Sequence, residues 1–334
     1  MISASRNRRD WRVILWLSVG SAVISAYFGY TVSDNPHGLL TGVGHSLIIA
    51  TPIILFEVKG QRLGLIRRLR RLPLIWYFGF RVIFYTVVIV GGLVIGHLLF
   101  EVPLDHDFRE SLVFAISMSI LVNLAFQIGG LLGFKTLRSL VTGRYSRPRT
   151  EQKTFLLIDM KNSTGMAERL GPLRFHELLN DFFRDVADAA LECEAEIHKY
   201  VGDEAILTWP SDRGLSEGDV LACPFIALDY IAANRSRYSE RFGMAPEFRA
   251  ALHFGEIVAG EIGDVRREIA YVGDTLNVTA RLLDAAKSLS RDVLVSADLL
   301  ARSALPAGVV AEPLPTLAVR GREAPLEIAA LSRA

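Results

Sequence analysis

Four stretches in the first 134 residues carry no lysine, arginine, aspartate or glutamate: 13–32, 38–56, 82–100 and 111–134. Each is close to the roughly 20 residues that an α-helix needs to cross the hydrocarbon of a bilayer. No comparable run recurs after Phe134. A chain divided in this way is expected to form an α-helical membrane domain of four transmembrane helices at 1–134, a linker at 135–153 and a soluble domain at 154–334. The mean hydropathy of +0.31 reflects this first part. The first run is longer than the apolar core of a signal peptide, about 7–15 residues, and three more follow it, so it reads as an anchor.

Loop charge predicts the orientation, because basic loops stay on the cytoplasmic side. The N-terminus carries Arg6, Arg8, Arg9 and Arg12. The second and third runs are joined by "KGQRLGLIRRLRRLP", with six basic residues and no acidic one. Lys135, Arg138, Arg144, Arg147 and Arg149 follow the fourth run. The third connection, "EVPLDHDFRE", is mostly acidic. Four spans put all the basic segments on one face. The expectation is a multi-pass protein of the cell's inner (plasma) membrane, with the lipid bilayer as a partner and both termini cytoplasmic.

Polar residues inside the runs are few. Arg81 sits near the start of the third span and is expected to snorkel. Asn123 and Gln127 are four apart on the fourth, so they share a face suited to interhelical hydrogen bonding. His45 and His97 lie at similar depth, as two ligands of a b-type haem would. The expectation here is packing and hydrogen bonding, with no haem. Net charge is +1, which implies no nucleic-acid partner. Two cysteines, Cys193 and Cys223, exclude a disulfide framework and lack zinc-site spacing.

After the linker, "TFLLIDM" reads as a buried strand ending on Asp159. "KNSTG" is a turn, and Leu178, Phe182, Val186 and Ala189 recur at helical spacing beyond it. "AEIHKYV" and "EAILTW" flank Gly202-Asp203 as a hairpin. A second helix is predicted over 219–241, two strands over "EFRAALHFGEIVAGEIG" and "REIAYVG", a helix from Asp274, and short strands after Asp292. Strand, helix, hairpin, helix, strand is the order of a ferredoxin-like α+β sheet. That order sets Asp159 and Asp203 on neighbouring strand ends, where two carboxylates can hold Mg²⁺ with room for phosphates. Taken singly, each is a solvated turn residue. The backbone of Met160, Asn162, Ser163 and Thr164 leads into a helix N-terminus and offers N–H groups to an anion. Asn277 and Arg281 are four apart and share a helix face.

At this point "FLLIDMKNSTGMAERLG", "EIHKYVGDEAILTW" and "EIAYVGDTLNVTARL" resemble the three signature segments of class III nucleotidyl cyclases. The resemblance covers roughly 154–331. It implies a membrane-bound adenylate cyclase that makes 3′,5′-cyclic AMP and pyrophosphate from ATP. It implies two Mg²⁺ or Mn²⁺ ions per site, held at Asp159, Met160 and Asp203. Lys199 would read adenine, Asn277 would orient the ribose, and Arg281 would stabilise the transition state. Asn162, Ser163 and Thr164 would line the substrate, and Arg320 or Arg322 would replace a triphosphate-binding lysine. The family works as a dimer of catalytic domains, so a chain with one such domain pairs with itself. Ala270 departs from the pattern, because the family's second base-reading position is usually aspartate or threonine. A guanylate cyclase and a catalytically silent nucleotide-binding receptor stay open as alternatives. A diguanylate cyclase does not, because "VGDEA" lacks that class's second glycine and its phenylalanine.

The topology has a direct check. Reporter fusions after Arg71 and Arg149 are expected to report cytoplasm, and one after Asp105 the opposite side. A cytoplasmic signal at Asp105 would refute four spans.

Overall fold

A computed structural model describes residues 2–33, 36–60, 73–100, 106–210, 219–265, 267–318 and 325–334. The chain forms two compact units, Met1–Leu137 and Arg138–Ala334.

In the first unit the four apolar runs become α1 (Ile2–Ser33), α2 (Pro36–Lys59), α3 (Leu74–Phe100) and α4 (His106–Leu132). All four are long and apolar enough to cross a membrane. Glycine sets the closest approach. A Cβ on Gly29 would lie 2.2 Å from the Gly38 carbonyl oxygen, and one on Gly42 would lie 2.3 Å from that of Ser25. Small residues thus bring the α1 and α2 backbones into contact, the usual device where lipid gives no hydrophobic drive to associate.

Arg81 does not snorkel. It is 4% exposed and lies 2.5 Å from Glu57 of α2. Its Nε and Nη2 donate to the Tyr85 hydroxyl, and Nη1 donates to Gln127 Oε1 on α4 at 3.2 Å. A partner carboxylate and two neutral acceptors satisfy the guanidinium inside the bundle, so it has no need to reach water. Gln127 makes the interhelical bond expected of it. Asn123, one turn away and 1% exposed, has neither amide atom hydrogen-bonded among the described residues. His45 Nδ1 bonds the Thr41 carbonyl at 2.8 Å. The side chain of His97 lies outside the described residues.

After α5 (Phe134–Val141), Gly143 at φ +62° breaks the helix, and β1 runs over Arg149–Met160. The strand begins five residues before the expected start at Thr154, because Arg149 to Lys153 pair with the far half of β4. Next come α6 (Ser163–Leu170) and α7 (Pro172–Glu192), in place of one predicted helix. Gly171, at φ +75°, ends the first, and Pro172 starts the second, where its missing N–H costs nothing. Then follow β2 (Glu196–Val201), β3 (Glu204–Pro210), α8 (Asp219–Ala233) and α9 (Arg235–Phe242). The chain closes with β4 (Phe248–Ile262), β5 (Glu268–Val272), α10 (Asp274–Ser288), β6 (Val293–Ser296), α11 (Ala297–Arg302), β7 (Val309–Leu317) and β8 (Leu326–Arg333).

The sheet order is β2-β3-β1-β4-β6-β8-β7, with β5 paired to β4. Its first four strands, 2-3-1-4, are the ferredoxin-like arrangement expected. Strand alternation sorts the two faces. Phe155 and Leu157 pack with Val278, Leu282 and Ala286 of α10. Phe248 meets Phe182 of α7 across the opposite face, at 6.2 Å between ring centroids.

The buried pair in the membrane unit makes a stability prediction. Glu57→Ala leaves Arg81 buried without its counter-charge and should cost about 3–5 kcal/mol. The double variant Glu57→Leu/Arg81→Met removes both charges and should lose much less. Denaturant-titrated unfolding of the full chain in mixed micelles measures both, and equal losses would contradict the pairing.

Candidate active site

Asp159 is the last residue but one of β1. It pairs with Glu204 on β3 and with Arg249 on β4. Paired residues share a face, so Glu204, Asp159 and Arg249 form one cross-strand row on the side covered by α10. The apolar run before Asp159 is buried to Ile158, which leaves the carboxylate half-buried at the strand end.

Asp203 is delivered by the tightest possible hairpin. Only Gly202 and Asp203 separate β2 from β3, and Gly202 takes φ +62°. Glycine with positive φ at the first central position is the type II′ arrangement, and its twist suits the two strands. The turn brings Asp203 within hydrogen-bonding reach of Asp159.

The carboxylates strain against one another. Burial, the nearby Asp203 charge and a hydrogen bond to Asp203 raise the Asp159 pKa to about 6, while Arg249 and Lys287 pull it down. Burial, with Asp159, Asp203 and Asp284 as neighbours, raises Glu204 to about 7. Excess negative charge of this kind, built from hard oxygen donors, suits a divalent cation. Among the described residues no group of three or more His, Cys, Asp or Glu side chains comes together as a ready-made cage.

Beyond Met160, the turn enters α6. Asn162 is the N-cap in the left-handed region, at φ 53°, ψ 36°, and makes no side-chain cap bond. Its side chain lies over Gly165, where a Cβ would come within 2.6 Å of Oδ1. Ser163 and Thr164 open the helix, so three of the four orphan N–H groups of its first turn belong to Asn162, Ser163 and Thr164, and the fourth to Gly165.

Lys199 reaches this face through an irregularity. Ile197 pairs with Leu207, but Lys199 pairs with Ile206, so a bulge falls at His198. Without it, alternation would turn Lys199 toward α7. With it, Lys199 shares the face of Glu204 and Ile206. Tyr200 takes the other face and packs its ring, tilted by 33°, on Phe183 at 4.4 Å between centroids. His198 packs at a tilt of 40° on Tyr271 of β5, also at 4.4 Å. Burial and then the charges of Lys199 and Lys153 lower its pKa to about 4. Lys199 Nζ lies 3.5 Å from Glu268 of β5. Glu268 is two residues from Ala270, on the same side of the strand.

Asn277 and Arg281 occupy an exposed stripe of α10, and Arg281 bonds Asp284 at 3.4 Å. The fold thus brings Asp159 together with Asp203 and sets Lys199 beside the strand of Ala270. Asn277 and Arg281 face outward. Arg320 and Arg322 lie outside the described residues. Sequence reasoning passed over Glu204, Arg249, Lys287 and Glu268. The signal for Glu204 was its place after Asp203, in phase with Ile206.

Comparison with known proteins supports the same region. Residues 145–325 match the family model "Adenylate and Guanylate cyclase catalytic domain". Adenylate cyclase 2 of Rhizobium meliloti (strain 1021) is 36% identical over 329 residues, 96% of this chain and 89% of that protein. An adenylate cyclase of Anabaena cylindrica is 27% identical over 152 residues, 44% of this chain and 30% of that one. A bacterial light-regulated adenylyl cyclase structure superposes with a TM-score of 0.51 at 16% identity, covering 67% of this chain and 63% of that one, a likeness of fold.

The crowded carboxylates predict a pH-dependent effect. Asp159 and Glu204 have raised folded-state pKa values, so their stabilising contribution is present at low pH and is lost as pH rises through about 6 and 7. Asp203→Asn relieves part of that loss. In chelator, it should stabilise the full chain at pH 8 by about 1 kcal/mol, a repulsive share discounted for solvent screening. At pH 5 the gain should vanish. Thermal unfolding of the detergent-solubilised chain at both pH values measures it, and an equal effect at each would contradict the repulsion.

Proposed function

The chain belongs to the adenylate and guanylate cyclase catalytic domain family, and from that premise we propose that its soluble unit converts ATP to 3′,5′-cyclic AMP and pyrophosphate at the interface of a homodimer. It is a membrane-anchored class III nucleotidyl cyclase and an adenylate cyclase homologue. The observation that carries the finer reading is Lys199, re-aimed by the bulge onto the face of the carboxylates and held beside β5.

On this reading the ribose 3′-oxygen attacks the α-phosphorus, the bond to the bridging oxygen breaks, and pyrophosphate leaves. Asp159 and Asp203 hold two Mg²⁺ or Mn²⁺ ions, aided by the Met160 backbone. Bound there, the ions neutralise phosphate charge and lower the pKa of the attacking hydroxyl. The N–H groups around Asn162, Ser163 and Thr164 cradle phosphate oxygens. Lys199 donates to the adenine ring. Ala270 offers no acceptor for the adenine amino group, and Glu268, on the same side of β5, takes that part. Arg281 meets charge building on the α-phosphate with a planar guanidinium, and Asn277 orients the ribose. Arg320 or Arg322 takes the part of the family's triphosphate-binding lysine.

Exposed apolar residues support pairing of two copies. Tyr200 and Val201 flank the β2–β3 turn, and Val258, Ile262, Val265 and Val272 project from the β4–β5 hairpin. A cluster of this kind marks an interaction surface. In the dimer, Asp159 and Asp203 of one copy face Lys199, Asn277 and Arg281 of the other.

Two assays on the purified full chain test this reading. Pyrophosphate release should require Mg²⁺ or Mn²⁺ and favour ATP over GTP. Lys199→Ala should lower kcat/KM for ATP about ten- to a hundredfold, the worth of one charged hydrogen bond. Asp203→Ala and Arg281→Ala should each be nearly inactive alone. Co-expressed, half of the randomly paired dimers are mixed and each holds one intact site, so about a quarter of wild-type activity should return. No rescue in confirmed mixed dimers would rule out the shared site, and a preference for GTP would favour a guanylate cyclase.

A further inference from the structure

A cavity of about 460 Å³ lies between the four helices of the membrane unit. Its lining runs from Trp16 to Gly29 on α1, from Thr41 to Ile54 on α2, from Tyr85 to Leu93 on α3 and from Phe114 to Phe126 on α4. Thirteen helical rises on α1 make it roughly 20 Å long. An elongated slot of this kind suits an extended hydrocarbon chain, whereas an α-helix, about 10–12 Å across, is too wide for it.

The small hydroxyls of the lining gather toward one end. On α1 and α2, Ser21, Ser25, Thr41, His45 and Ser46 all lie between mid-span and the α1–α2 connection. The other half is Trp16, Leu17, Ile53, Ile54 and Phe126, closed by Tyr85. Ser21 is at the middle of the apolar span Trp11–Thr31, and its hydroxyl bonds that of Ser46 at 3.0 Å. That bond uses one of the two hydroxyl hydrogens, so the other is directed elsewhere. The Thr41 hydroxyl donates to the carbonyls of His37 and Gly38, and its oxygen keeps acceptor capacity. Hydroxyls at mid-bilayer depth have no water to satisfy them, so their remaining donor and acceptor capacity is turned to protein or to a bound molecule.

We propose that this slot binds a single-chain lipid with a small hydrogen-bonding head, a protonated long-chain fatty acid or a fatty alcohol. The head meets Ser21, Ser46 and Thr41, and the tail runs toward Tyr85. A small apolar-walled pocket with a few converging polar groups is the general form of a small-molecule site. A two-chain phospholipid does not suit it, because its headgroup belongs at the water interface and not beside hydroxyls at mid-span. The tail end is linked to the rest of the bundle. Tyr85 accepts hydrogen bonds from Arg81, which also holds Glu57 of α2 and Gln127 of α4. Occupancy at Tyr85 therefore bears on a polar knot that ties α2, α3 and α4 together. The site is independent of which nucleotide the soluble unit uses.

The test uses the full chain in phosphatidylcholine–phosphatidylglycerol nanodiscs, with palmitic acid carrying a mid-chain diazirine as the probe. After irradiation, adducts should map to cavity-lining residues such as Ile49 and Ile53. Labelling should saturate and be competed by unlabelled palmitic acid and palmityl alcohol. Ser21→Ala/Ser46→Ala should raise half-saturation about tenfold. Ala50→Phe, which fills the slot, should abolish labelling. Should that variant fail to fold, the serine pair decides, because it changes almost no volume. Labelling that rises linearly with probe, resists competition or ignores the serine variant would mean bulk acyl chains only, and would overturn the proposal.

Discussion

The pairing of β1 between β3 and β4 governs the soluble unit. Both pairings are antiparallel, and together they place Glu204, Asp159 and Arg249 in one row. A one-residue slip on either side would send a member of that row into the opposite face. The register is held by Phe155, Leu156, Leu157 and Ile158, each at most 2% exposed. Four such side chains contribute on the order of 6–12 kcal/mol by burial. The price of crowding the carboxylates is smaller, a few kcal/mol before solvent screening. The core can therefore hold charges in a place they would not choose, and the raised pKa of Asp159 is the visible sign of that imbalance.

Much of this was legible in the residues. Alternation and punctuation located β1, the β2–β3 hairpin, β4, β5 and α10, and the Gly-Asp turn marked where Asp203 would stand. What could not be read depended on distant partners. The bulge at His198 adds no glycine or proline to the sequence, so nothing local announces that Lys199 changes face. The extension of β1 back to Arg149 exists because the long β4 offers it a partner. The break at Gly171 was misread because a Gly-Pro pair inside a helical pattern can cap one helix and open the next with no loop between.

The membrane unit shows the same division. Apolar run length was enough to find four helices, because hydrocarbon permits little else. The fate of Arg81 was not, since position near a span end argues for snorkelling. The competing fact, Glu57 facing it from α2, is 24 residues away in the sequence and becomes relevant only once helices pack. Glu57 lies just past the edge of its run, while Gln127 was expected to bond across helices but not to this partner. Together they turn a costly cation into a tie across three helices.

On the proposed reading, the soluble unit is half of two sites, and charge explains why. One chain presents a carboxylate pair already short of positive charge, while its Lys199 and Arg281 stand outward with weak, exposed partners and Asn277 lies exposed beside Arg281. A triphosphate is strongly negative. Near the carboxylates alone it would be repelled, and near the lysine and arginine alone it would bind without the metals that make its α-phosphorus reactive. Neither half is competent until the two are opposed. The apolar side chains on the β2–β3 and β4–β5 hairpins flank both halves, so burying them between copies would align the charges in the same event. Any input that changes how two soluble units meet would then act on catalysis without touching a catalytic side chain, which is how a membrane-anchored enzyme of this kind can be governed from its helices.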